Sequence, residues 1–596
     1  MAIFPPASLR DYSLLADGER GALLGPLGDI VWLCAPRWDS PAAFASLIGG
    51  EGGWAVCPTT SFTSGGAYEP GSLIWRTRFV TATGELHTRE AMALPGLATG
   101  PVLLRRIEAR RGAQRVRICL SVRSDFGRGG VRGLRQADDG SWSGELGEPG
   151  AGGTLWHTPL PGARPVRAGR HVDLEAEVVV QPGEHLDLAL RLSTGQAEPL
   201  DCEDAWAATA AGWGRRVPQA AALPRLARRD VQHGYAVLRG MTSATGGMVA
   251  AATLGLPEQA DDGRSYDYRY AWIRDQCFVG QTAARGPDLS LLDSAVRFVS
   301  ARLIEHGPRL APAYRTDGAP VPDEQTLDLP GYPGGRPIVG NWVNHQLQLD
   351  AFGDALLLFA AADEADRLDA DGWRAAEIAV EALAERGEEP DAGIWELPPE
   401  HWTHSALTAA AGLRAVARRP RADGRAGVLA GMADAFVARA ASTSLHRTGR
   451  WQRSPTDERV DAALLLPTLR GALPPDDPRA VLTLRAVLDE LTEDGYAYRF
   501  RHGDLPLGRA EGSFLLCGFV VAAALLQQGD HVGAARWFER SRSACGTPAL
   551  FTEEVDVTER QLRGNLPQAF VHAMMVQVAI DLDAALPEGL AALADG

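Results

Sequence analysis

The period of the apolar pattern changes once along this chain, near residue 200, and a chain that switches period must fold as two architectures in series. Before the switch, apolar and polar residues alternate in short runs broken by Gly, Pro and Asp: 73–80, a turn at Thr83-Gly84, then 85–88, 102–107, 115–120 and 172–180. A period of two puts successive side chains on opposite faces of a strand, and short strands at this spacing build a large antiparallel sandwich. Residues 154–165 read as turn and edge. After Asp204 the apolar residues recur at i, i+3, i+4 and i+7, the stripe of an amphipathic helix. Helices are expected over 343–361, 373–386, 405–417, 425–441, 477–491, 513–528, 532–544 and 568–585. They are similar in length and joined by longer Gly- and Pro-rich loops, which suits helical hairpins closed into a ring.

Composition then removes whole classes of function. Apolar residues make up 45% of the 596 and charged residues 22%, ordinary for a globular protein with a sizeable core. The net charge of −16 opposes a phosphate backbone, so no nucleic-acid partner is expected. No lysine occurs, and all 59 basic residues are Arg. Pyridoxal-phosphate Schiff bases, P-loop and kinase ATP sites and Ser-Lys acylases all need that missing amine. The opening MAIFPPASLRDYSLL has no cationic stretch followed by an apolar run, so no secretory leader and a cytoplasmic location are expected. The longest apolar run, 513–526, is too short to span a bilayer and reads as a buried helix. The seven cysteines are scattered without a C-x-x-C pair, and no H-E-x-x-H occurs. Asp369-Ala-Asp371-Gly372 lacks the rest of a calcium loop and reads as a helix-end turn. Neither metal nor cofactor is expected.

The chemistry lies in the loops of the helical part, which gather Trp, Tyr, Arg, Asp and Glu. Planar rings suit pyranose faces, guanidinium forks suit hydroxyl pairs, and carboxylates suit acetal cleavage. Residues 266–275 hold three Tyr, a Trp, two Arg and two Asp. Arg274 and Asp275 can donate to and accept from adjacent sugar hydroxyls, with Tyr268 and Trp272 as the wall; a plain structural salt bridge is the alternative for the pair. Asp391-Ala-Gly-Ile-Trp395-Glu396 is a turn that delivers a Trp-Glu pair; taken alone the Glu reads as a solvated or helix-start charge, and if buried in a pocket beside the indole it would have the raised pKa a general acid needs. Glu511, in Glu511-Gly-Ser-Phe514, opens a very apolar helix and is either a helix-start charge or a base held against water.

These motifs resemble glycoside hydrolase family 15, the glucoamylases, glucodextranases and bacterial trehalases. Gly28-Asp-Ile-Val-Trp32 with Pro36-Arg-Trp38-Asp-Ser-Pro41, residues 247–252 with Leu256-Pro-Glu258, the 267–275 motif, and Gly564-Asn-Leu-Pro-Gln-Ala-Phe570 with His572 are similar to family motifs, in the family's order. The resemblance implies an N-terminal β super-sandwich (1–203), a linker helix region (204–243) and a catalytic (α/α)6 barrel (244–596). It implies Glu396 as general acid and Glu511 as general base of an inverting, exo-acting enzyme. Arg274 and Asp275 would hold the non-reducing glucose beside Tyr268 and Trp272, with Trp38, Arg336, Trp342, Trp395 and Trp402 completing the substrate site.

Two segments depart from the bacterial pattern. Where many members read W-E-x-R-G and S-K-v-M, this chain has Trp395-Glu-Leu-Pro-Pro399 and Ser405-Ala-Leu-Thr408. Where they read R-P-V-R-x-G-N, it has Arg336-Pro-Ile-Val-Gly-Asn341. Basic residues expected on the leaving-group side are therefore missing. Trp342, His345, His401, Trp402 and His404 are candidates for a different wall there, each His being read first as a hydrogen-bonded structural group. The expected function is hydrolysis of short α-glucosides, with isomaltose-type or other small substrates favoured over trehalose. A trehalase or maltooligosaccharide glucoamylase is the alternative within the class, and a disaccharide phosphorylase or non-catalytic sugar-binding protein outside it.

Overall fold

The computed structural model describes residues 4–147, 153–259 and 264–585, so the outer limits expected for the first and last domains, 1 and 596, lie outside the described residues. The first part is a sandwich of two antiparallel sheets. One runs Ser13–Ala16, Gly21–Leu24, Asp29–Cys34, Gly53–Pro58, Gln114–Ser121, His171–Val180 and Arg164–Ala168, with Ala42–Phe44 paired to Asp29–Cys34. The other runs Arg123–Ser124, Gly129–Gln136, Trp142–Leu146, Gly153–His157, His185–Ser193, Val102–Arg111, Gly84–Met92, Trp75–Thr81 and Phe62–Tyr68. In Trp75–Thr81 the alternation is direct: Trp75, Thr77, Phe79 and Thr81 are buried while Arg76 and Arg78 are exposed. Leu33, Trp54 and Ile118 from one sheet meet Phe79, Ile107 and Leu190 from the other in the sandwich core.

Residues 154–165 correct the sequence reading. Gly153–His157 is interior to its sheet, paired with both Trp142–Leu146 and His185–Ser193. The turn signals Pro159, Pro161 and Gly162 lie just beyond a five-residue strand too short to assert its own period. Of the two strands that this stretch enters, Arg164–Ala168 lies at a sheet edge.

The helical part closes on itself. Ile273–Arg285 packs on Leu349–Glu364, then Thr403–Ala417, the short Leu466–Leu469, Leu515–Gln527 and Ala569–Ala585, which returns to Ile273–Arg285. An outer ring is formed by Arg228–Met241, Leu289–His306, Ala370–Arg386, Ala426–Thr443, Pro478–Glu490 and His531–Arg542. This is an (α/α)6 barrel. Gly353 and Gly412 permit the close approach of two inner helices: a Cβ on Gly353 would stand 2.6 Å from the Thr408 carbonyl oxygen, and one on Gly412 2.4 Å from that of Gly353. The apolar 513–526 run supplies the inner helix Leu515–Gln527, buried from Leu515 through Leu525. Each such Leu, Val or Phe contributes about 1.5–3 kcal/mol of burial. No helix among the described residues is long and apolar enough to cross a membrane. Asp369 caps Ala370–Arg386 by accepting from the Gly372 N–H at 2.8 Å.

Within 204–243, Cys202–Arg216 packs against the sandwich strand His185–Ser193, whereas Arg228–Met241 buries Val231, Tyr235 and Leu238 and packs on Ala569–Ala585. The stretch expected as linker thus supplies one helix of the outer ring. The two parts are pinned by Arg269, which is 1% exposed. It donates two hydrogen bonds to the Asp267 carboxylate (Nε–Oδ1 2.8 Å, Nη2–Oδ2 2.7 Å) and donates from Nη1 to the Trp38 and Ser40 carbonyls of the sandwich. Trp32 adds an indole hydrogen bond to the Ala252 carbonyl at 2.9 Å.

Removing one partner of a buried ion pair strands the other. Arg269→Leu is therefore expected to lower the unfolding free energy by about 3–5 kcal/mol in denaturant titration; a loss below about 1 kcal/mol would show that this contact does not hold the two parts together.

Candidate active site

Each inner helix is preceded by a loop, and these loops line one cavity of about 690 Å³ at the N-terminal end of the inner ring. Tyr266, Tyr268, Trp272 and Arg274 come from the first loop and helix start, Trp342 from the second, and Ile394–Glu400 with Trp402 from the third. Arg453–Arg459 come from the fourth, Arg499–Gly503 from the fifth, and Glu553, Gln568 and Phe570 from the sixth. The volume lies within the range of small-molecule sites.

Glu396 is held on a tight turn. Gly393 sits at φ +64°, where a side chain is strained, and a Cβ there would meet Trp402 Cδ1 at 2.7 Å, so only glycine lets the indole lie on this turn. Glu396 itself has φ 56°, a left-handed conformation that costs on the order of 1 kcal/mol and is found where a side chain must be aimed. Its Oε1 accepts from Trp272 Nε1 at 2.7 Å and lies 3.7 Å from Arg274 Nη1. Arg274 is aligned by its donation to the Ile394 carbonyl at 2.7 Å, so the Glu-bearing turn and the arginine orient one another.

Opposite chemistry gathers around Tyr268. Its hydroxyl lies 3.1 Å from Glu553 Oε2 and 3.3 Å from Glu258 Oε1, and both carboxyls line the cavity. Tyr268 packs edge-on against Trp272 at 5.5 Å and stacks on Tyr266 at 6.0 Å.

Glu511 is 2% exposed and does not line the cavity. Arg499 donates to it from Nε and Nη2, and His502 Nε2 stands 3.0 Å away. Burial works to raise its pKa, but the Arg499 charge and the His502 contact outweigh that and hold it down at about 2.

Of the other expected site residues, Trp272, Arg274, Trp342, Trp395, Trp402, Tyr268 and Glu396 are on the cavity wall. Trp395 is fixed by donating to Asp461 Oδ1 at 2.9 Å. Asp275 is not on the wall: it is fully buried behind Arg274, whose Nε is 3.3 Å away, and burial pushes its carboxyl up to about 6. Trp38 is also away from the cavity, 1% exposed, donating to the Gly18 carbonyl beneath the domain junction. Arg336 is exposed outside the wall, because its loop turns backbone inward: the Arg336 carbonyl abuts Gly255 and its N–H bonds Ser265. None of the three histidines lines this cavity. His345 pairs with Asp323 at 3.0 Å, and His401 borders a separate cavity of about 190 Å³. His404 is buried beside Thr408 and Asp350, its pKa lowered by burial to about 3.

The profile of glycosyl hydrolases family 15 matches residues 232–580, and that of the trehalase-like N-terminal domain matches 5–156. The chain belongs to glycosyl hydrolases family 15. A trehalase of Mycobacterium tuberculosis is 30% identical over 97% of this chain and 89% of its own length. Trehalase 1 of Sulfolobus acidocaldarius is 25% identical over 95% and 98%. A bacterial glucoamylase solved with acarbose superposes with a TM-score of 0.73 at 13% identity, covering 98% of this chain and 95% of that one, which shows a common fold.

For this family 15 glycoside hydrolase, the sequence reading missed Glu553, Glu258, Arg453, Arg499 and His502. The twin Glu553-Glu554, a short way before the Gly564–Phe570 motif, was the available signal. Arg453 is the most constrained of the group: its guanidinium lies 3.5 Å from the Phe500 ring centroid and bonds Asp461 and Asp457, both at 3.2 Å.

A carboxyl depressed in the folded state stabilises the fold above its unfolded pKa and loses that contribution as pH falls toward its folded value. The Glu511 contribution is therefore complete above about pH 4.5 and fades toward pH 2. Glu511→Gln is expected to be less stable than wild type at neutral pH, with the gap narrowing below about pH 4.5 in denaturant titrations. A gap that is constant or grows on acidification would contradict the pairing with Arg499.

Proposed function

We propose that the protein is an inverting α-glucoside hydrolase whose main substrate is α,α-trehalose, with Glu396 as general acid and Glu553 as general base. One observation carries the base assignment. Glu553 lines the same cavity as Glu396 and is anchored by Tyr268, whereas the expected base, Glu511, is neutralised by Arg499 and lies off the wall. A carboxylate held at about 2 by a guanidinium is a weak proton acceptor for water.

In this reading a water beside Glu553 gives up a proton as its oxygen attacks the anomeric carbon, and Glu396 protonates the departing oxygen. Trp272 orients the Glu396 carboxyl, and Arg274 donates to hydroxyls of the bound glucose. Preorganised donors of this kind act where charge develops, without reorganisation cost.

The substrate choice reverses the preference drawn from the missing basic residues. Leu397, Pro398 and Pro399 offer the sugar no side-chain donor, but Arg453, Arg459, Arg501 and His502 line the same cavity and can meet the hydroxyls of a leaving glucose. Relatives named trehalases that match 95–97% of this chain support that substrate.

Purified enzyme is expected to release glucose from α,α-trehalose with a kcat/KM above that for any 1,4- or 1,6-linked α-glucose disaccharide. A higher value for isomaltose or maltose would overturn the substrate assignment while leaving the acid and base in place.

A further inference from the structure

The contacts around Tyr268 contain one proton too few. A phenol has a single hydrogen, yet the Tyr268 oxygen is within bonding distance of Glu553 Oε2 at 3.1 Å and Glu258 Oε1 at 3.3 Å. The two carboxyls thus converge on one phenol oxygen. One phenol hydrogen cannot serve two ionised carboxylates at once, and a second proton in the trio would satisfy both. We propose that Glu258 is the positioning residue of the base: as a neutral carboxylic acid it shares one proton with Glu553 and gives the ionised Glu553 a hydrogen bond while water is activated. This rests on the reading of Glu553 as the base.

The surroundings favour a shared proton over two charges. Glu258 is 4% exposed and Glu553 6%, and an uncompensated pair of buried anions is among the costliest arrangements a fold can hold. The cations nearby have other partners. Arg499 bonds Glu511, Arg264 stands 3.6 Å from Glu511, and Arg274 bonds the Ile394 carbonyl, so each acts on the pair through space. Against them stand Glu511, Glu554 and Glu396, with Tyr266 packed on Tyr268 and His502 turned to Glu511. Burial, the leading influence, raises both carboxyls; the Glu258 charge raises Glu553 further, while the contact with Glu553 lowers Glu258.

The step balances. As the water oxygen bonds the anomeric carbon, its proton passes to Glu553, the glycosidic bonding pair goes to the departing oxygen, and that oxygen takes the Glu396 proton. The Glu258–Glu553 pair, entering with one proton, leaves with two, and one returns to solvent or to Glu396 before the next turnover.

The test compares Glu258→Gln with Glu258→Leu. The amide keeps a neutral donor, so turnover should stay within about 3-fold of wild type with the acidic limb of kcat little moved. The apolar side chain removes the donor, so the Glu553 pKa rises; kcat should fall about 10- to 100-fold near neutral pH, the acidic limb should move to higher pH, and KM should change little. Gln falling as far as Leu would mean that an ionised carboxylate is required, and Leu turning over like wild type would mean that Glu258 does nothing; either overturns the proposal. Should the Leu variant fail to fold, the wild-type-minus-Gln infrared difference spectrum at neutral pH decides. Loss of a protonated carboxyl band supports the shared proton, and loss of a carboxylate band refutes it. Glu553→Ala keeps the underlying reading separate. If Glu553 is the base, this variant is inactive on disaccharides but forms β-glucosyl azide from α-glucosyl fluoride and azide. Wild-type turnover in Glu553→Ala would overturn the base assignment itself, whatever the Glu258 variants do.

Discussion

The catalytic end of this protein depends on the closure of the inner helical ring, where Ala569–Ala585 packs back onto Ile273–Arg285. Loops far apart in the chain reach one cavity only because the six helices they precede form a closed circle. Glu396 accepts from Trp272, Tyr268 meets Glu553, and Asn565 bonds both Thr253 and the Tyr266 carbonyl. Each bond joins a loop near the start of the ring to a distant one. A ring that failed to close would leave Glu396 on one segment and Glu553 on another.

On that frame the carboxylates are separated by environment rather than by residue type. Glu511 is kept ionised by Arg499 and His502 and carries structure. Glu554 is buried and accepts from the Gly512 N–H at 2.8 Å, tying the sixth loop to the fifth. Glu396 has an indole and a guanidinium beside it, and Glu553 a phenol and a second carboxyl. With Glu258, five glutamates in one neighbourhood are set apart by what each touches. That division is the usual way one site runs acid and base chemistry together.

The sandwich-then-barrel order was legible because periods of two and 3.6 cannot be confused over long stretches, and of the site residues implied by the resemblance to family 15, Trp272, Arg274 and Glu396 line the cavity. The strand Gly153–His157 was lost because five residues beside Pro159 and Pro161 carry too little period. The choice between Glu511 and Glu553 was out of reach for a different reason. Glu511 and Glu553 each precede an inner helix with an acidic residue beside apolar ones, and nothing local reveals that Arg499 folds over one while Tyr268 reaches the other. Trp38 and Asp275 lie off the cavity wall for a related reason: residue types that suit a sugar also suit a domain junction or the underside of an arginine.

The same limit governed the substrate. Missing basic residues at 397–399 and 405–408 argued against trehalose only while the cavity's other arginines, at 453, 459 and 501, could not be assigned to it. The claim that Glu396 and Glu553 work on opposite sides of one glucose is tested most directly by proton NMR of trehalose hydrolysis, read before mutarotation. One β-glucose and one α-glucose per turnover is the expected result, since water inverts one anomeric centre and the leaving sugar keeps its own. Release of α-glucose alone would mean that a carboxylate attacks the sugar itself, and the account of Glu553 as a base would be wrong.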